Sequence, residues 1–224
     1  MMRERRGMSR LVASPAVAVA AILLALTTGS ARAENLVFAR DASGSALARE
    51  AVTLCLDALK AKDDDARDAM LERGLTTAER AVAADDRDAK AHFAVFCNLG
   101  RQLEAKGVSL AGVTGVKRVL AEIDRAIALQ PAFVDAVTAK GALLVRLPAL
   151  LGGDADEGER LIRRAVEMAP NNPSARLQLV KALLEKGEKD AARAEVRTVL
   201  ALADRRGSPA EASEAHAIAE QLGS

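Results

Sequence analysis

A short phrase recurs along this chain. Ala81-Val82-Ala83-Ala84-Asp85-Asp86 returns as Ala126-Ile127-Ala128-Leu129-Gln130-Pro131 and again as Ala165-Val166-Glu167-Met168-Ala169-Pro170, with a looser fourth copy from Val199. A small residue follows each of the first three (Ala91, Ala136, Ala175), and a new helical pattern begins there. Repetition on this scale means one supersecondary unit stacked on itself, each unit burying its apolar side against the next. The expected product is an extended binding surface rather than a reaction centre. Trp and Tyr are absent and only four Phe occur. The core must therefore be built from Ala, Leu and Val, and Ala is the strongest helix former. Alternation of period two is not visible, so the chain reads as all-α.

The first 33 residues stand apart. Arg3, Arg5, Arg6 and Arg10 give a positive front, Leu11 to Leu26 is an apolar run interrupted by Ser14 and Pro15, and Ala31-Arg32-Ala33 is a small-x-small site. This is the grammar of an export signal cleaved near Ala33. The run is shorter than the roughly 20 residues a membrane span needs. The chain is thus expected in the periplasm or secreted, without membrane insertion. Cleavage lowers Lys+Arg from 32 to 27 and Asp+Glu from 31 to 30, a net charge of about −3. That balance gives no electrostatic footprint for nucleic acid.

Cys55 and Cys97 are the two cysteines. An oxidising compartment permits a bridge between them. Each also sits inside an apolar helical run, where a thiol behaves as a small hydrophobe. We expect buried thiols, with the disulfide as the alternative.

The repeated residues resemble the tetratricopeptide repeat, a 34-residue pair of antiparallel helices. Its signature sets small residues at positions 3, 8, 20 and 27, and large apolar ones at 4, 7, 11 and 24. The copy from Pro173 fits best, with Ala175, Leu179, Leu183 and Ala192 at positions 3, 7, 11 and 20. The third copy has Ala136, Gly141, Leu144, Gly158, Ile162 and Ala165 at positions 3, 8, 11, 20, 24 and 27. The second has Ala91, Val95, Leu99, Val119, Ile123 and Ala126, but His92 and Phe96 stand at positions 4 and 8. The first is loosest, with Gly74, Ala78 and Ala81 at the small sites. The resemblance implies an α-solenoid of about four hairpins over residues 45–87, 88–131, 132–171 and 172–207, closed by a capping helix over 208–224. Residues 34–44 form an N-terminal tail whose Leu36-Val37-Phe38 is expected to tuck into the groove or against the first hairpin, or else to be disordered after processing.

Position-27 residues lie 45, then 39, then 34 apart. The extra residues fall at Glu104–Thr114 and Arg146–Gly153, and we read them as longer helices and wider turns. Gly107, Gly112 and Gly115 are read as loop residues. In the second turn Gly152-Gly153 ends a helix, and Asp154 with Glu157 forms a capping box. The same Pro-x-x-x-Gly-Gly-Asp turn resembles one in the repeat subunits of tripartite ATP-independent periplasmic transporters. Asp65 is read as the cap of the second helix, and Ser208-Pro209-Ala210-Glu211 as the start of the last.

Chemistry finds no foothold. His92 and His216 lack a second histidine within helical reach, and Asp63-Asp64-Asp65 lacks the spacing of a calcium loop. Glu122, Asp124 and Arg125 read as a solvated face. No catalysis, metal or cofactor is expected.

In such repeats the first helices line a concave face, and positions 2, 5, 9, 12 and 13 point into it. The resemblance therefore assigns Lys90, Phe93, Cys97 and Arg101, then Asp135, Thr138 and Arg146, then Lys181 to a binding face. Leu177 and Leu184 share it unless the C-terminal helix covers them, and Phe93 unless the N-terminal tail does. An apolar floor under Lys90, Arg101, Arg146 and Lys181 suits a protein or peptide partner with acidic groups. The function expected is an exported, non-catalytic scaffold; the alternative is an accessory transporter subunit that helps deliver a small ligand.

Overall fold

The computed structural model describes residues 43–106 and 110–223. Expectations for residues 1–42 and for Gly107 lie outside them. Among the described residues the secondary structure is helix and turn throughout: α1 (Ala46–Ala58), α2 (Asp64–Ala84), α3 (Ala89–Lys106), α4 (Leu110–Leu129), α5 (Val134–Arg146), a 3-10 turn (Ala149–Leu151), α6 (Ala155–Met168), α7 (Pro173–Glu185), α8 (Lys189–Arg206) and α9 (Pro209–Leu222). Each helix packs on the next, α1 lies along α3, and α5 lies along α7. This is an all-α helical repeat fold.

The recurring phrase is core. Ala81, Ala91, Ala126, Ala136, Ala165 and Ala175 are each 1% exposed or less. A methyl side chain at these sites lets helix axes approach, and larger residues fill the spaces between. Val52, Phe93, Ile123 and Phe133 join the first two hairpins to the third. Ile162, Leu177, Val180, Val196 and Ile218 join the last hairpins to α9. Each such side chain contributes about 1.5–3 kcal/mol on burial.

Helix starts are fixed by side-chain caps. Ser45 Oγ accepts from the Ala48 amide at 3.1 Å, and the carboxylate of Asp154 accepts from the Glu157 amide at 3.0 Å. Asn172 caps α7 through the amides of Ser174 and Ala175. At α2 the cap is Asp63, which accepts from the Ala66 amide at 2.8 Å; the expected Asp65 lies within the first turn. The capping box at Asp154 is half formed. Glu157 turns to Arg160, and the Asp154 amide donates to the Leu144 carbonyl at 3.0 Å. Gly152 ends the 3-10 turn at φ +92°, a conformation that favours glycine.

Two readings of small residues need correction. Gly112 and Gly115 lie inside α4, not in a loop. A Cβ on Gly115 would sit 2.8 Å from the Leu103 side chain, so this glycine lets α3 and α4 close together. The cysteines are not free thiols: Cys55 of α1 and Cys97 of α3 form a disulfide, with Cα atoms 6.2 Å apart. The side-by-side lie of α1 and α3 brings them within bridging distance.

The residues read as solvated tie consecutive elements. Glu122 Oε2 lies 2.7 Å from His92 Nδ1, joining α4 to α3, and Asp86 O lies 3.0 Å from His92 Nε2. Asp124 pairs with Lys140 of α5 at 2.6 Å, and Arg125 pairs with Asp86. Glu211 also departs from its expected capping role. It is buried and accepts from Ser174 Oγ at 2.7 Å, which fastens α9 to α7.

Candidate binding face

The first helices α3, α5 and α7 carry the expected face. At its N-terminal edge Asp88 accepts from the amides of Lys90 and Ala91 at 2.9 and 3.2 Å, capping α3. Its other oxygen accepts from the Ser45 amide at 2.7 Å. One carboxylate therefore sets the starts of both α1 and α3. Burial pushes the Asp88 carboxyl upward, but hydrogen bonds from Ser45, Ala91 and Lys90 outweigh it and hold the group below the usual aspartate value.

The predicted site residues divide by depth. Lys90, Phe93, Cys97, Asp135 and Thr138 are buried. Phe93 stacks between Phe96 and Phe133, with ring centroids 5.7 and 5.0 Å away. Cys97 is consumed by its disulfide. Thr138 donates its hydroxyl to the Val134 carbonyl at 2.8 Å. Leu177 and Leu184 pack with Ala215, Ile218 and Leu222, so the C-terminal helix covers that end. Lys181 reaches Glu214 of the same helix at 3.0 Å.

Arg101 and Arg146 stand differently. Arg101 Nη1 lies 2.8 Å from Glu104 Oε2, and Arg146 Nη2 lies 3.7 Å from Glu104 Oε1. The Arg146 and Glu104 side chains are half exposed, and Arg101 is about a quarter exposed. The two cations thus meet over one carboxylate at the open ends of α3 and α5. Glu104 escaped the sequence reading. Its three-residue offset from Arg101 on a helix was the available signal.

A separate surface cleft of about 550 Å³ runs along α1 and α2, lined by Glu50, Ala69, Glu72, Arg73, Thr76, Thr77 and Arg80. Arg73 crosses it to Glu50 at 2.8 Å. Among the described residues no group of three His, Cys, Asp or Glu is placed to hold a metal ion. None of the described helices is long and apolar enough to cross a membrane.

Residues 149–221 match the tetratricopeptide repeat family. The structure is similar to that of a thermophilic tetratricopeptide repeat protein from Thermus thermophilus, at a TM-score of 0.56 and 18% identity over 77% of this chain and 91% of that one. A crystal structure of the protein MamA aligns at a TM-score of 0.46 and 17% identity, over 62% of this chain and 67% of that one. No curated protein matches the chain. The Thermus likeness shows the fold, and the family match places a repeat unit in the last third of the chain.

Proposed function

We propose that this chain is an exported, non-catalytic scaffold that takes a protein or peptide partner on its concave face, where Arg101 and Arg146 receive an acidic group. The observation that carries this reading is the meeting of both arginines over Glu104. Exposed ion pairs contribute only about 0–1 kcal/mol, so an incoming carboxylate can replace Glu104 at little cost. A groove with cations above apolar helices suits an extended acidic segment.

Capture from periplasmic extract, with the purified chain and an Arg101→Glu/Arg146→Glu variant as bait, tests it. The same partner should be lost from the variant. Equal recovery by both baits sinks the groove reading.

Export is supported by the Arg-rich front and apolar run of residues 1–33, and by the Cys55–Cys97 disulfide, a bond that oxidising compartments preserve. Osmotic-shock fractions should contain a chain beginning at Glu34 that does not react with thiol reagents. A cytoplasmic chain with two reactive thiols would contradict export. The turn from Pro148 to Asp154 supports the second reading, an accessory transporter subunit. Deletion of the chain's gene should then reduce uptake of one solute while leaving its permease abundant.

A further inference from the structure

The cleft along α1 and α2 holds charges that the fold leaves uncancelled. Glu72, Arg73, Thr76, Thr77 and Arg80 line it from α2, at spacings that keep them on one helix face, and Glu50 lines it from α1. Arg73 and Glu50 pair with each other at 2.8 Å. Glu72 and Arg80 are both exposed and have no ion-pair partner among the described residues. A negative and a positive group therefore stand open in one cleft, separated by about 12 Å of helix rise.

The stretch between them is polar. Thr53, Thr138 and Thr198 each donate their hydroxyl to the carbonyl four residues earlier. Thr76 and Thr77 make no such bond, although Thr77 is only 6% exposed. Their hydroxyls are left for whatever enters the cleft. Arg73 gives one N–H to Glu50 and keeps its other donors. That pair is 68% and 45% exposed, so it yields readily to a competing group. The cleft volume, about 550 Å³, is that of a small-ligand site.

We propose that this cleft binds a short linear zwitterion, its ammonium on Glu72, its carboxylate on Arg80, and hydrogen-bonding groups between them on Thr76, Thr77 and Arg73. An extended tripeptide with free ends has this form. It spans at most about 10 Å, against about 12 Å between the two charged positions, and its peptide groups meet the hydroxyls. A simple anion would face Glu50 and Glu72, and a simple cation would face Arg73 and Arg80. The site lies on the first hairpin and shares no residue with the arginines over Glu104, so it is independent of the groove reading.

NMR titration of the purified chain with trialanine, N-acetyl-trialanine and trialanine amide tests this. The free tripeptide should saturate the protein with a dissociation constant of about 1 mM, and blocking either end should weaken it about three- to tenfold. Substitution should reproduce each block. Glu72→Gln should lower the affinity for the free tripeptide to that of the acetylated one, and leave the acetylated one unchanged. Arg80→Gln should do the same for the amide. Both side chains are exposed, so each variant should keep the wild-type unfolding midpoint. The blocked peptides put the same question to the unaltered protein. Absence of saturation by about 10 mM tripeptide overturns the inference. So does equal affinity for free and blocked forms, or a variant that weakens all three alike. None of these results bears on the Arg101/Arg146 capture experiment, which decides the groove reading by itself.

Discussion

Gly141 of α5 and Gly158 of α6 face each other with no room for a side chain on either. A Cβ added to Gly141 would lie 2.7 Å from the Gly158 carbonyl oxygen, and one added to Gly158 would lie 2.7 Å from that of Gly141. The third hairpin is therefore closed backbone against backbone. Ala costs about 1 kcal/mol less than Gly in a helix interior, so both positions give up intrinsic helix stability for this approach.

Gly141→Ala should destabilise the array by about 1–3 kcal/mol, because overpacking against a carbonyl outweighs the propensity gain. Gly100→Ala makes the contrast. It is also helical, and its added methyl would meet only Val119 Cγ1, at 3.9 Å. It should be neutral or stabilising by up to about 1 kcal/mol. Urea unfolding of both variants measures the difference. A Gly141→Ala protein as stable as Gly100→Ala would show that propensity, not close approach, governs these sites.

The Cys55–Cys97 bridge closes a separation of 42 residues and joins the first helices of the first two hairpins. Loop-closure entropy for such a span is about 4 kcal/mol, with measured values more often 2–4. The Cys55→Ser/Cys97→Ser variant should melt lower than the oxidised wild type, and reductant should lower only the wild type. A reductant-independent wild-type Tm, with thiols titrating in the native protein, would contradict the bridge.

The small-residue code was legible because its meaning is geometric: Ala78, Ala126 and Ala165 sit where helices touch, whatever the partner. The binding face was less so. Its positions follow from the repeat register, and that register does not include what lies across the first helices. Lys90 meets Gly44, Cys97 meets Cys55, and Leu177 meets α9. Glu122 and Asp124 looked solvated for a related reason. Their partners, His92 and Lys140, belong to other helices, and charge spacing along one helix does not reveal them.

Those two carboxylates should respond differently to removal. Glu122 is 18% exposed and holds buried His92, so Glu122→Ala strands a buried ring nitrogen and should cost about 1–3 kcal/mol. Asp124 is 55% exposed and holds Lys140, so Asp124→Ala should cost less than about 1 kcal/mol. Chemical denaturation of the two variants side by side provides the check. Indistinguishable midpoints would mean that the His92–Glu122 contact adds nothing beyond a surface pair.

Asp88 should give the array a measurable acid sensitivity. Its carboxylate accepts from Ser45, Lys90 and Ala91, and its folded pKa lies below the ordinary value of about 3.9. A depressed acid stabilises the fold fully above its unfolded pKa, and the contribution disappears as pH falls through the folded one. Glu159, also held low by its bond from Lys186, titrates in the same direction. Comparison of the wild type with Asp88→Asn isolates the aspartate, because the Glu159 contribution is common to both. At neutral pH the variant should be less stable by about 0.5–2 kcal/mol, the usual range for a lost helix cap. Below about pH 4 the gap should narrow, since the wild-type group is itself becoming neutral. Thermal unfolding of both proteins from pH 7 down to pH 3 measures it. A gap that stays constant across that range would show that Asp88 acts here by shape and hydrogen bonding alone, with no contribution from its charge.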